Sequence, residues 1–476
     1  MKLASREFSD ADQKQFAAVS GDHNPMHLDA LQARRTPAGE PVVHGINLLL
    51  WTLDSLAIAN PELPPLRCLR VRFSKFVYLG ERVDVVLTEL TPAGARLNIS
   101  VGEAPRAKVS LDFGDAIEDR PPWSNAIQES IPFSPTPSNL SFEQASGRSG
   151  RISFAMHSQD AATLFPAATQ WLGAPRIQAM AASTHLVGMV CPGLNSIYGE
   201  LSVTSLRQSS LQDSLAFRVT GTDPRFQAVD QEICGGGLTG TVKSFFRTPP
   251  VQQASMQSLH GVVGSADFAG SVALIIGGSR GLGELTAKLI ATGGGRVIVT
   301  WQTGQLDAEK VAQEIRLAGG SCETLAYDSR RPAADQLSRL TETPSHAYYF
   351  ATPAIARPSS GIFATERLSE FLAVYVDGFW DLSRALRTHQ PGLSLFYPSS
   401  VFVAERPKGM TEYAMAKAAG EVLCADMNAS LSPAHITVRR LPRLPTDQTS
   451  SLIAAHTADP LETLLPVIRE VQSWPR

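Results

Sequence analysis

Asp22, Asn24, Pro25 and His27 crowd one short stretch, FAAVSGDHNPMHLDALQARR. Adding water to an activated double bond needs a base for the water and an acid for the α-carbon. A carboxylate and an imidazole that hold one water between them serve both needs. A helix N-terminus close by would take up charge on an enolate-like thioester oxygen through its backbone N–H groups. Val43-His44-Gly45, at the start of an apolar helix, is placed to supply it. Cation binding competes for Asp22, His23, His27 and His44, although the spacing fits no common zinc pattern, and no metal is expected. A polar surface loop is the inert alternative, and residue types alone leave all three open.

A second constellation lies far downstream. Gly277-Gly278-Ser279-Arg280-Gly281-Leu282-Gly283 stands between the apolar run VALII and the amphipathic stretch GELTAKLIATGG. Glycines let the backbone turn tightly and approach a pyrophosphate, and the following helix offers N–H groups and a positive dipole end. In a strand–turn–helix context this predicts dinucleotide binding. Tyr413 and Lys417 are four apart in EYAMAKAAGEVL and share a helix face. A lysine charge there would favour the phenolate and lower its pKa. Ser400, ending the apolar run LSLFYPSS, could hydrogen-bond a substrate carbonyl.

These residues need three bodies to position them. Pro- and Ser-rich residues 115–138 and polar residues 248–262 read as connectors, dividing the chain into about 1–120, 135–248 and 263–476. Each of the first two segments predicts a helix (44–58 and 175–190) followed by alternating strands. In the first these are RCLRVRFSKFVYL, RVDVVLTEL, ARLNISVG and AKVSLDFG. In the second they are YGELSVTSLR, LAFRVTGTD, FQAVDQEIC and TGTVKSFFR. That pattern suggests antiparallel sheets packed on helices, and an internal duplication. The third segment alternates buried-type strands with helices, which predicts a parallel sheet.

Lys and Arg number 42 against 45 Asp and Glu, so the basic excess of a nucleic-acid binder is missing. The most apolar stretch is broken by His44, Asn47 and Asp54 and is not expected to span a membrane. Five widely spaced cysteines and an N-terminus without an apolar signal region fit a cytoplasmic protein.

SGDHNPMHLD resembles the Gly-Asp-x-Asn-Pro-x-His signature of the MaoC-like, (R)-specific enoyl-CoA hydratases, and VRFSKFVYLGERV resembles that family's paired strands. The resemblance implies a hot-dog fold, a sheet wrapped round a central helix. It also implies that Asp22 and His27 activate water, that the Gly45 N–H polarises a thioester carbonyl, and that Asn24 braces the loop. Residues 135–248 look similar through ASTHLVGMVCPGLNSIYGELSV but carry no such signature; Asp160, His157 and His185 are loose candidates there. They are expected to be a non-catalytic half that completes a double hot dog and helps form an acyl tunnel.

Residues 263–450 resemble the short-chain dehydrogenase/reductase family, an α/β Rossmann domain with a doubly wound parallel sheet. The resemblance implies that Tyr413 donates the proton, Lys417 holds the cofactor ribose and tunes Tyr413, and Ser400 orients the substrate. Gly277, Ser279, Arg280, Gly281, Leu282, Gly283, Thr300 and Asp328 would surround the cofactor. The family's relay asparagine is replaced by Tyr375, and its Asn-Asn-Ala-Gly stretch reads Tyr349-Phe350-Ala351-Thr352. An acid ending the second strand would favour NAD. Thr300 and Trp301 stand there, and Arg280 could meet a 2′-phosphate, so NADP(H) is expected.

The two resemblances converge on one carbon skeleton. They imply a bifunctional enzyme that reduces a 3-oxoacyl thioester, on CoA or an acyl carrier protein, to the (R)-3-hydroxyacyl form. Dehydration would then give the trans-2-enoyl product, or both steps would run in reverse. The alternatives are a live hydratase beside a nucleotide-binding scaffold, or a reductase of another ketone such as a sugar or polyketide intermediate. Both families usually associate, so a dimer or tetramer is expected.

Overall fold

The computed structural model describes residues 1–118, 121–207, 213–355, 362–430, 435–449 and 456–473. Residues 1–249 make one compact unit, and residues 250–449 with 456–473 make another.

Ten strands of the first unit form one antiparallel sheet. They are β1 (Lys2–Glu7), β2 (Leu66–Phe73), β3 (Arg82–Thr91), β4 (Gly94–Val101), β5 (Ala104–Phe113), β6 (Ser149–Ser153), β7 (Ser196–Ser205), β8 (Ser214–Asp223), β9 (Ala228–Gly235) and β10 (Leu238–Phe246). Their order is β1-β3-β4-β5-β2-β7-β10-β9-β8-β6. The second five repeat the first five in mirrored order, so the similarity of pattern between the two segments is also a similarity of topology. The halves join where β2 pairs with β7, Val71 opposite Leu201. Arg70 and Arg72 clasp Glu200 across that seam.

One long helix belongs to each half. Gly45–Ala59 buries Ile46, Leu48, Leu49, Leu50, Leu53 and Leu56, so it is apolar on nearly every side and must lie in a core. Its counterpart, Ala174–His185, continues without a break into a wider π-helical turn, Leu186–Val190. The halves share a single core running from Phe8 to Phe246. They also interlock through polar groups: Asp54 Oδ1 accepts the Ala168 N–H at 2.9 Å, and Trp171 Nε1 donates to the Pro64 carbonyl at 3.0 Å.

Sequence patterning missed β1 and β6, the two outermost strands: β1 buries no residue, and β6 is only five residues long. The strand expected over residues 67–79 stops at Phe73, where the N–H groups of Ser74 and Lys75 both turn onto the Arg106 carbonyl. In the connector 115–138, residues 119 and 120 lie outside the described residues. The rest is tied to the second half, with Ile117 bridged to Leu206 and Ser130 to Arg151.

The second unit holds a six-stranded parallel sheet: β11 (Val272–Ile276), β12 (Arg296–Trp301), β13 (Ser321–Ala326), β14 (His346–Tyr349), β15 (Ser394–Ser400) and β16 (His435–Leu441). The order β13-β12-β11-β14-β15-β16 is that of a dinucleotide-binding doubly wound sheet. Alternate residues of β11 face opposite layers. Ala273 and Ile275 pack on helices Gly281–Thr292, Gln305–Leu317 and Pro460–Ser473, while Leu274 and Ile276 pack on Phe379–His389 and Thr411–Ser430. Buried Lys288 ties two helices of the first layer together, at 2.7 Å from Glu284 and 2.8 Å from Glu314. Among the described residues no helix is long and apolar enough to cross a membrane.

Candidate active sites

Helix Asp10–Ser20 ends at Gly21, whose φ of +79° is the left-handed conformation that glycine adopts at low cost. The chain reverses there and enters Asp22-His23-Asn24. Asn24 then caps the short helix Pro25–Leu28, its Oδ1 accepting the Met26 N–H at 3.1 Å. Its Nδ2 points the other way, toward the carbonyls of Gly188 (2.9 Å), Gly193 (3.2 Å) and Leu194 (3.3 Å). The asparagine therefore fastens the loop of the first half to the second.

Asp22 is 1% exposed. Its Oδ1 accepts the Asn24 N–H at 3.1 Å, and its Oδ2 accepts the Thr184 hydroxyl at 2.7 Å. His27 donates from Nδ1 to the Val42 carbonyl at 2.8 Å, which leaves Nε2 of the neutral ring as an acceptor. His44 stacks on His27 with ring centroids 3.8 Å apart. Burial, with His27 beside it, pushes the His44 pKa well down. A carboxylate oxygen of Asp22 and ring nitrogens of His27 and His44 lie within 4.8 Å of one another, close enough to share a water or a cation.

Asp22 and His27 open on a cavity that also reaches Gly45, Leu48, Phe73, Thr184, Val187 and Tyr198. Gly45 begins the long helix, and His44 before it makes no side-chain cap, so the helix N–H groups are left to face a ligand. A Cβ at Gly45 would lie 3.0 Å from the Phe73 ring, so glycine is what fits. The structure thus brings Asp22, His27 and Gly45 to one cavity, with Asn24 beneath them. Of the second-half candidates, Asp160 accepts the His157 N–H at 2.9 Å in a capping box at the start of helix Ser158–Leu164. His185 is 6% exposed and its Nδ1 bonds the Gly21 carbonyl at 2.8 Å. Thr184, which sequence reasoning passed over, lines the cavity and bonds Asp22, and no short motif announces it.

In the second unit, Gly277 (φ +76°) and Gly281 (φ +61°) make the turn between β11 and helix Gly281–Thr292. A Cβ on Gly283 would lie 2.4 Å from the Gly277 carbonyl oxygen, so the third glycine lets helix and turn touch. That helix has no side-chain cap, and its N-terminus is open to a phosphate. These residues fit a dinucleotide. Ser279 is buried beside the turn, and Leu282 packs on the sheet-facing core, so only its backbone is left to serve a ligand.

Three expected cofactor contacts are engaged within the protein. The Thr300 hydroxyl accepts the Gly277 N–H at 3.0 Å, bracing the turn. Asp328 Oδ1 accepts the Arg330 N–H at 3.0 Å. The Arg280 guanidinium pairs with Asp447 at 3.0 Å, so a carboxylate already balances the charge expected to attract a 2′-phosphate. Asp447 lies 167 residues away in sequence, beyond the reach of motif reading.

Ser400, Tyr413 and Lys417 come together at the end of β15 and on helix Thr411–Ser430. Burial raises the Tyr413 pKa, against the pull of its hydrogen bond with Ser400. Lys417 does not lower it as expected. Its Nζ donates to the Pro398 carbonyl at 2.7 Å and sits 3.8 Å from the centroid of the Tyr375 ring. Burial brings the Lys417 pKa down to about 7. Tyr375 is fully buried in a π-helical turn, Ala373–Gly378, and its hydroxyl bonds Thr352.

Comparison with known proteins matches both units. Residues 2–105 match the MaoC-like domain, and residues 271–347 match the short chain dehydrogenase family, a span that stops before Ser400 and Tyr413. The 3-hydroxybutyryl-CoA dehydratase of Methylorubrum extorquens is 30% identical over 123 residues, 24% of this chain and 75% of that protein. The chloroplastic NADPH-dependent aldehyde reductase 2 of Arabidopsis thaliana is 27% identical over 192 residues, 36% of this chain and 70% of that protein. A short chain dehydrogenase from Burkholderia cenocepacia, solved in complex with NADP, is 23% identical, with a TM-score of 0.40 over 44% of this chain and 94% of its own. The chain belongs to the MaoC-like dehydratase family through its first unit. Part of its second unit, residues 271–347, is similar to the short chain dehydrogenases.

Proposed function

We propose that the protein reduces a 3-oxoacyl thioester, carried by CoA or an acyl carrier protein, to the (R)-3-hydroxyacyl thioester. It then dehydrates that product to the trans-2-enoyl thioester, or runs both steps in reverse. In this reading residues 1–120 and 135–248 are two hot-dog folds sharing one sheet, a double hot dog, and 263–476 is the reductase. The observation that carries it is the meeting of the Asp22 carboxylate and His27 at a cavity that also reaches the Gly45 helix terminus. The dehydratase and NADPH-dependent reductase named among the relatives support the pairing of activities.

In the hydration direction Asp22 and His27 Nε2 hold one water between them. The water oxygen bonds to C3 as its proton passes to the pair, and a proton from the pair goes to Cα. The Gly45 N–H meets the charge that develops on the thioester oxygen. Dehydration reverses each step. In the reductase, Tyr413 gives a proton to the carbonyl oxygen while Ser400 holds that oxygen in place. Burial keeps the phenol protonated, as a proton donor requires. NADPH supplies the hydride when bound.

Crotonyl-CoA hydration and acetoacetyl-CoA reduction, each followed with NADPH and NADH present in turn, test the reading. Asp22→Asn should abolish hydration and leave reduction untouched; equal loss of both would refute separate sites. A clear NADH preference would refute the NADP(H) assignment. Lys417 being engaged by Pro398 and Tyr375 favours a second reading, a live hydratase beside a nucleotide-binding scaffold. That reading requires crotonyl-CoA hydration with no reduction of any thioester, and Tyr413→Phe indistinguishable from wild type.

A further inference from the structure

The half without a signature motif meets the Asp22 loop at several points, and those nearest the carboxylate come from helix Ala174–His185 and the turn after it. Thr184, 4% exposed, donates its hydroxyl to Asp22 Oδ2 at 2.7 Å. The Gly188 carbonyl accepts from Asn24 at 2.9 Å. Gly188 itself lies flush against the carboxylate: a Cβ there would come within 2.3 Å of Asp22 Oδ1. The π-helical turn Leu186–Val190 widens the helix at this point, as such turns do at many functional sites.

A buried carboxylate rotates unless both its oxygens are held. Asp22 Oδ1 is held within its own loop by the Asn24 N–H; Oδ2 accepts the Thr184 hydroxyl from the other half, with His44 Nε2 of its own half farther off at 4.0 Å. We infer that Thr184 is a positioning residue for the hydration step. It fixes the Asp22 carboxylate at the angle from which that group shares a water with His27, and Gly188 provides the clearance. This rests on the proposed hydratase reading of Asp22 and His27 and adds a residue that the Gly-Asp-x-Asn-Pro-x-His motif does not contain. The second half is thus part of the catalytic apparatus through a hydroxyl and a missing side chain.

The test is crotonyl-CoA hydration by the full-length protein. Thr184→Val keeps the shape and removes the donor. A hydrogen bond to a charged group predicts a fall in kcat of about 10- to 100-fold, with KM within about twofold. Thr184→Ser, which keeps the donor, should recover most of that loss. Gly188→Ala should lower kcat at least as far as Thr184→Val, with NADPH binding unchanged in every variant. Wild-type kcat in Thr184→Val overturns the inference, as does a Ser variant no better than Val, or a loss confined to KM. A wild type with no hydratase activity defeats the proposed function itself, and is told apart because the reference protein, not the variant, is inactive.

Discussion

Lys417 Nζ sits 3.8 Å from the centroid of the fully buried Tyr375 ring. A cation over an aromatic face is attracted by the ring's negative surface, but here the ammonium is also buried, with the Pro398 carbonyl as its hydrogen-bond acceptor. Burial holds its pKa at about 7.

That depressed value has a pH signature. An unfolded lysine titrates near 10.4, so between about pH 7 and pH 10 the unfolded chain binds more protons than the native state, and stability rises with pH. Lys417→Met removes this dependence. Its gain in melting temperature over wild type should be largest at pH 7 and below and should fade toward pH 10. A gain constant across that range would contradict a buried lysine with a depressed pKa.

Gly45→Ala places a methyl group 3.0 Å from the Phe73 ring at the head of the central helix. Either the ring or the helix terminus must shift, and the N–H proposed to meet the thioester oxygen shifts with it. Hydratase kcat should fall about 10-fold or more, in line with loss of one oxyanion donor, while the fold persists. Phe73→Leu in the same chain should restore part of the activity, since it removes the obstruction.

Asn24 faces carbonyl oxygens with its Nδ2, so Asn24→Asp turns a carboxylate onto three acceptors. Loss of the donor leaves buried groups unsatisfied at about 1–3 kcal/mol, and the added charge makes the aspartate variant worse than Asn24→Ala. Thermal melts of the two variants should rank in that order, both below wild type.

Gly283→Ala would press a Cβ to 2.4 Å from the Gly277 carbonyl oxygen and force the glycine turn away from its helix. Titration of NADPH fluorescence should show affinity at least about 10-fold weaker, equivalent to ~1.4 kcal/mol. Crotonyl-CoA hydration should be unchanged. Retained affinity would show that the turn is not the pyrophosphate site.

Much of the architecture was readable because it rests on period and spacing. VALII followed by glycines and an amphipathic helix forecast β11 and Gly281–Thr292, and the all-round apolar stretch at 44–58 forecast a central helix. The loop carrying Asp22 and His27 was readable because its residues are consecutive. What escaped were relationships between residues distant in sequence: Thr184 with Asp22, Asp447 with Arg280, and Lys417 turned toward Tyr375 rather than Tyr413. Each depends on where the fold sets two side chains, and a hydroxyl or carboxylate on a helix or loop carries no local mark of its distant partner. The outer strands escaped for other reasons: β1 has no buried residue, and β6 is five residues long and buries only Gly150 and Ile152.

The seam where β2 meets β7 constrains anyone who would shorten this protein. Expressing residues 1–120 alone would strip β2 of its neighbour and leave a long row of backbone donors and acceptors bare, a template for self-association. The excised fragment would also lose the walls that keep its reactive loop in shape. The smallest fragment that keeps the Asp22 loop in its present setting is therefore both lobes together, since Asp22 and Asn24 each hydrogen-bond to the second.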